Sequence, residues 1–357
     1  MSSKILTHKE FPALQPSHGL WSQYRPEEAP FRFRADSLTA AQDWQSQVRP
    51  LLRQAIGFQD LPSADLNPQL IESVDKGDYI REKWLLQTWV GALMPVYLLL
   101  PKDAPRPLPV VLAFHGHGYG VKDIVGLWED GVERDTPDGY HQDFGIALCQ
   151  RGFAVACPEI SCFGERISDF SHLNTKIGQE IPSTCEHTAK LAFHLGGSVV
   201  GLRVHDANRL VAYLETRDDL DVERMGAMGI SGGGMQTFFS TALDERIKAC
   251  VISGYYSPFK DSIFSMQHCA CNFVPGLAQF GEIYDLVGLI APRPMLVENG
   301  SYDPIFPAKA VRRAIDITRS QVYAVFDAEL QVEMDIFEGR HQISGAQAYD
   351  FLWEKLT

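Results

Sequence analysis

The sequence predicts an α/β protein: a mostly parallel central sheet of about eight strands flanked by helices, preceded by an N-terminal helical extension. Three features carry this prediction. Strand-like segments rich in large apolar and β-branched residues follow one another from Gln69 to Phe114, punctuated by Gly, Pro or Asp. Beyond them the pattern changes to strand, helix, strand, which implies parallel pairing with helices on both faces. The segment Pro109–Phe114, PVVLAF, is almost wholly apolar, as a strand covered on both sides must be.

Taken in order, residues 1–35 are rich in Pro and aromatics and show no clear period. Across Asp36–Ile56 the residues Leu38, Trp44, Val48, Leu51, Leu52 and Ile56 recur at three- and four-residue spacing. That spacing predicts a helix, capped by an Asp or Ser and ended by Gly57. Residues 1–69 therefore read as an extension packed on a main body of residues 70–357. Strands are expected at Gln69–Val74, Tyr79–Gln87, Ala92–Leu100, Pro109–Phe114, Phe153–Cys157, Met225–Ile230, Ala249–Ser253, Met295–Glu298 and Val332–Phe337. Val204, Ala207, Leu210, Val211 and Leu214 mark one helix face, and further helices are expected near Ala308–Ile317 and Gln347–Leu356. Three excursions, about 119–142, 159–200 and 254–285, are long enough to shape a pocket above the sheet.

Composition narrows the function. Hydrophobic residues make up 45% of the chain and charged residues 22%, ordinary values for a globular protein with a large core. A net charge of −13 argues against nucleic acid or an anionic membrane as partner, since those select basic surfaces. The N-terminus lacks an apolar signal core and the apolar runs fall short of a membrane span. Seven cysteines cannot all pair within one chain, and Cys157 and Cys250 sit in apolar runs as small core residues do. The expectation is a reduced, cytoplasmic protein; its aromatic insertions and N-terminal extension could support a dimer.

The chemistry concentrates at Gly229-Ile230-Ser231-Gly232-Gly233. This Gly-x-Ser-x-Gly run follows an apolar strand and opens a helical segment, the setting of a nucleophile elbow. By chance it should arise roughly 0.1 times in such a chain. A serine hydroxyl needs a general base, and in this strand–turn–helix architecture the acid and then the histidine follow on later loops. Asp303 stands just past Met295–Glu298 and His341 just past Val332–Phe337. Glu298 and Glu338 are the rival acids; the first falls at a strand end and the second lies too near His341. His115-Gly116-His117-Gly118 follows Pro109–Phe114 and supplies a loop for an oxyanion hole. The amides of His117 and Gly232 are the expected donors, with Gly118 as the alternative to His117.

Two metal readings compete with this. His115 and His117 share a face but lack an accompanying carboxylate motif. His268-Cys269-Ala270-Cys271 does not have zinc-knuckle spacing and reads as part of a packed loop. No metal and no cofactor is expected.

Together HGHG, GISGGG, LIAPRPMLVENGSYDPIFP and FEGRH resemble a bacterial serine-esterase branch of the α/β-hydrolase superfamily, related to acetyl xylan esterases and dienelactone-hydrolase-like proteins. The resemblance spans about residues 70–357. It implies Ser231 as nucleophile, Asp303 as orienting acid, His341 as base, and His117 and Gly232 as oxyanion donors. The chain departs from dienelactone hydrolases, which use a cysteine nucleophile. It departs also from the xylan enzymes, which usually carry a Tyr after the first His-Gly where this chain has His117. The expected activity is ester hydrolysis through an acyl-enzyme on a small-molecule ester of short acyl or acetyl type. A serine peptidase or amidase, or a non-catalytic binding scaffold, are the other classes. Glu159, Phe163 and Arg166, just past a parallel strand, and Tyr255 in the aromatic insertion are candidates to touch substrate.

Overall fold

The computed structural model describes residues 3–62, 64–172 and 183–357. A nine-stranded sheet forms its centre, in the order β1-β2-β3-β5-β4-β6-β7-β8-β9. The strands are β1 (Gln69–Asp75), β2 (Tyr79–Trp89), β3 (Ala92–Pro101), β4 (Leu108–Phe114), β5 (Ala154–Pro158), β6 (Leu220–Ile230), β7 (Ala249–Ser253), β8 (Met295–Gly300) and β9 (Val332–Phe337). β1, β2, β3 and β5 pair antiparallel, and the pairs from β5 through β4 to β9 are parallel. All nine expected strand segments are present, one more than the approximate sheet size of eight, and β1 is an almost wholly exposed edge strand. β6 starts at Leu220, earlier than its apolar run at Met225, because Asp221, Glu223 and Arg224 sit on its less buried half.

Alternation along the central strands explains the layering. Cys250 and Ile252 of β7 and Met295 and Val297 of β8 point to one face; Ala249, Val251 and Leu296 point to the other, as a side-chain period of two requires. On the first face lie α2 (Leu38–Ile56), α5 (Val199–Leu214) and α6 (Gly232–Leu243). On the second lie α3 (Phe144–Gln150) and α9 (Ala348–Leu356). The remaining helices are α1 (Pro16–Gln23), α4 (Thr184–His194), the short α7 (Ile283–Leu286) and α8 (Ala308–Ile317).

Ser37 caps α2, accepting from the Ala40 amide at 3.4 Å, and Ala41, Val48, Leu52 and Ile56 bury its apolar stripe. Two arginines on α2 serve the far end of α6. Arg49 donates to Ala242 O at 3.1 Å, and Arg53 donates to Leu243 O. These carbonyls end a helix and have no partner within it. Gln45 likewise donates to the carbonyls of Gly288 and Ala291 at 2.6 Å. At the head of the chain, Tyr24 donates to the buried carboxylate of Glu282 at 2.5 Å.

Parallel register brings the C-terminal ends of the central strands level. Phe114 faces Gly229, Ile230 faces Ser253, Ser253 faces Glu298 and Gly300 faces Phe337. The loops carrying His115, Ser231, Asp303 and His341 therefore leave one edge together. No helix among the described residues is long and apolar enough to cross a membrane.

Candidate active site

Ser231 ends β6 and heads α6 with φ 58° and ψ −118°, a conformation few non-glycine residues adopt. It is held there by its amide, which donates to Ser253 O at 3.0 Å, and by close packing around it. A Cβ on Gly233 would stand 1.9 Å from Phe114 O, and one on Gly229 would stand 2.4 Å from Gly233 O. The sharp turn thus admits no side chain at either glycine, and the hydroxyl projects from the sheet edge beside the positive end of α6.

The structure brings Asp303 and His341 together. Asp303 Oδ2 lies 2.7 Å from His341 Nδ1, while Oδ1 accepts the amides of Ile305 and Phe306 at 2.8 and 3.0 Å. A carboxylate with three donors in a buried position is fixed in place. The imidazole stacks on Phe306, with centroids 5.8 Å apart, and packs against Tyr140 at 5.3 Å. Its Nε2 is buried and has no hydrogen-bond partner among the described residues. Gly254, at φ +50°, makes room: a Cβ there would fall 3.0 Å from His341 Nδ1 and 2.9 Å from Cε1. The rival acid Glu298 is committed elsewhere, accepting from Ser253 Oγ at 2.8 Å and Gly345 N at 2.7 Å. Burial pushes its carboxyl up to about 7.

The His-Gly-His-Gly loop is anchored from below. His115 is fully buried and accepts the Ile160 amide at 3.0 Å. His141 accepts the Gly116 amide at 2.8 Å; burial holds it well below the usual histidine range, so the ring is neutral. Tyr140 was not singled out by the sequence, yet it stands at the centre. Its hydroxyl donates to His117 O and lies close to Ser231. Burial raises its pKa, which keeps it a donor. No motif marks it; only its place in the 119–142 excursion hints at a site role.

The residues expected to touch substrate fare differently. Glu159 is fully enclosed. Its carboxylate accepts the amides of Val121 and Glu165 at 2.9 and 3.3 Å and lies 3.2 Å from His115 Nε2. It ties two loops together instead of facing a pocket. Arg166 is paired with Asp206 at 2.7 Å. Phe163 wedges between the rings of His115 and His117, at 5.6 and 4.9 Å. Tyr255 is 2% exposed, in the core beneath α6 with Phe306. The aromatics of the 254–285 excursion mostly pack: Tyr256 and Phe259 are buried as well, and Phe264 keeps about a third of its surface in solvent. Residues 173–182 of the 159–200 excursion lie outside the described residues.

One grouping was missed from the sequence. His117, Cys185, Cys269 and Cys271 each offer a ligand atom, all within 4.8 Å of one another. Among the described residues it is the one such cluster able to hold a metal ion. Its members come from three separate segments, so no spacing rule within one loop could expose it.

Comparison with known proteins places this geometry. "Putative hydrolase YtaP" of Bacillus subtilis (strain 168) is 28% identical over 276 residues, covering 74% of this chain and 84% of that protein. Among solved structures, a "putative acetyl xylan esterase" of Bacteroides fragilis NCTC 9343 superposes with a TM-score of 0.74 at 17% identity, covering 91% of this chain and 82% of that one. A glucuronoyl esterase from Solibacter usitatus gives a TM-score of 0.64 at 16% identity, covering 93% and 100%. At such identities the likeness establishes the α/β-hydrolase fold. A family model matches residues 18–335, an interval that holds Ser231 and Asp303 and ends shortly before His341. The chain belongs to the Abhydrolase family.

Proposed function

We propose that the protein is a serine carboxylester hydrolase that acts through an acyl-enzyme on Ser231, on small esters with short acyl or acetyl groups. The observation that carries this reading is the arrangement around His341: Nδ1 bound to a buried carboxylate at 2.7 Å, and Nε2 left without a partner, on a loop that leaves the same sheet edge as the strained Ser231. Esterase is also the named activity of the solved relatives cited above, which supports ester over other substrates.

In the mechanism that follows from this reading, the Ser231 hydroxyl turns from Tyr140 toward His341 Nε2. His341 removes its proton as Oγ attacks the acyl carbon. The resulting oxyanion is stabilised by the amides of Gly232 and His117. The imidazolium, steadied by Asp303, then protonates the departing alcohol. Water repeats the sequence with the acyl-enzyme, releasing the acid and restoring Ser231. Tyr140, donating to His117 O, positions the oxyanion loop.

The test is hydrolysis of p-nitrophenyl acetate and of a matched anilide by the wild type and Ser231→Ala. Ester turnover that falls by several orders of magnitude in the variant supports the reading. Anilide cleavage at comparable kcat/KM would move the protein to the amidase class, and ester cleavage that survives in the variant would remove Ser231 from the mechanism.

A further inference from the structure

We infer that His117, Cys185, Cys269 and Cys271 form a closed, four-ligand site for one zinc ion, which ties the loop after β4 to α4 and to the 254–285 excursion. His117 lies on the loop that follows β4, and Cys185 sits in the first turn of α4. Cys269 precedes a single helical turn, Ala270–Asn272, and Cys271 lies within it. His117 Nε2 stands 3.7 Å from Cys271 Sγ, and all four ligand atoms lie within 4.8 Å of one another. A tetrahedral zinc with Zn–S of about 2.3 Å and Zn–N of about 2.0 Å has ligand-to-ligand edges of roughly 3.5–3.8 Å. The set is thus within about an ångström of coordination geometry. It is too compact to surround the several irons of an iron–sulfur cluster, and three soft thiolates with one imidazole suit zinc.

The second observation is Arg203. It is fully buried on α5, and no carboxylate among the described residues pairs with it. Nη2 donates to Ser161 O at 3.2 Å, while Nε and Nη1 have no partner. The guanidinium lies over the Phe163 ring at 5.4 Å, and that ring in turn packs against the His117 imidazole at 4.9 Å. A buried cation left uncompensated is strongly destabilising. Neutral thiols would leave it so. Three thiolates around a divalent ion carry one net negative charge, and Arg203 neutralises it. Asn272 Nδ2 donates to Cys271 Sγ at 3.5 Å, the kind of outer hydrogen bond that orients and tunes a metal-bound sulfur.

Four protein ligands leave no open position, so the ion is structural and takes no part in hydrolysis. Its position still bears on the site: a Cβ on Gly232, next to Ser231, would fall 3.2 Å from His117 Nδ1 and 3.6 Å from Arg203 Nη1. Holding the His117 side chain holds the loop whose amide faces the oxyanion.

The experiment is metal analysis of the reduced, purified full chain, followed by cobalt titration of the metal-free protein. The expected result is about one zinc per chain, and cobalt spectra with thiolate charge-transfer and tetrahedral d–d bands. In Cys185→Ser and in Cys271→Ser both signals should drop at least about tenfold. Wild-type protein without zinc and without cobalt bands would overturn the inference, whether or not the variants fold. So would a disulfide joining two of the three cysteines in the purified protein, or stoichiometric iron or copper in place of zinc. These readouts do not depend on esterase activity, so the site and the catalytic reading can fail separately.

Discussion

Ser253 and Glu298, facing each other across β7 and β8, form a brace behind the nucleophile turn. The Ser253 hydroxyl donates to Glu298 Oε1 at 2.8 Å, and the Ser253 carbonyl accepts the amide of Ser231 at 3.0 Å. Glu298 Oε2 in turn accepts the Gly345 amide at 2.7 Å, on the loop that carries His341. The brace links the Ser231 turn to the His341 loop without touching either side chain.

Burial pushes the Glu298 carboxyl up to about 7 from its usual 4.5. Between about pH 4.5 and 7 the folded chain keeps this proton while the unfolded chain has lost it, so the contribution falls as pH rises through that window. Its full size is about 3 kcal/mol. Urea unfolding at pH values of about 5 and about 8 should show the wild type less stable at the higher pH. In Glu298→Gln that part of the pH dependence should vanish; if it persists, another group is responsible.

Asp303→Asn tests the orientation of His341. The asparagine oxygen can still accept the amides of Ile305 and Phe306, but its NH2 would face Nδ1 and favour the tautomer that places the proton on Nε2. We expect kcat to fall roughly 10³–10⁴-fold with the melting temperature nearly kept. A loss of less than tenfold would mean that Asp303 does not govern the imidazole.

Tyr140→Phe removes the donor to His117 O and keeps the ring packed on His341. A misplaced oxyanion loop lowers kcat; the expected fall is about 10- to 100-fold, with KM changed far less. An unchanged kcat would limit Tyr140 to packing.

Gly254→Ala places a methyl group about 3 Å from the imidazole of His341 in a left-handed backbone position. The backbone penalty is about 1–2 kcal/mol, small enough for the protein to fold. The displaced imidazole should nonetheless depress kcat/KM by at least about 100-fold. Circular dichroism melting run beside ester hydrolysis separates the two effects.

Legibility in the sequence followed range. Strands β7 and β9 and helix α8 begin and end where their periodicity places them, because each is fixed by local pattern and bounded by Gly, Pro or charge. The elbow and the order of Asp303 and His341 could be read because strand–loop alternation dictates where such residues emerge. A position past a parallel strand does not reveal that Val121 and Glu165 close over the carboxylate of Glu159. Tyr140 and Cys185 escaped notice because their partners lie far along the chain, and no short-range pattern records such meetings. Helices α1, α3 and α4 were not anticipated, the first sitting in a Pro-rich run without a clear period.

The grip of α2 on α6 has a consequence for synthesis. Gln45 finds its acceptor 243 residues further along, and Arg49 and Arg53 find theirs about 190 residues on. At translation rates of about 5–20 residues per second, α2 waits on the order of ten to fifty seconds before its partners exist. Through that interval its apolar stripe of Val48, Leu52 and Ile56 has no core to enter, and the nascent chain presents a sticky helix to whatever escorts it from the ribosome.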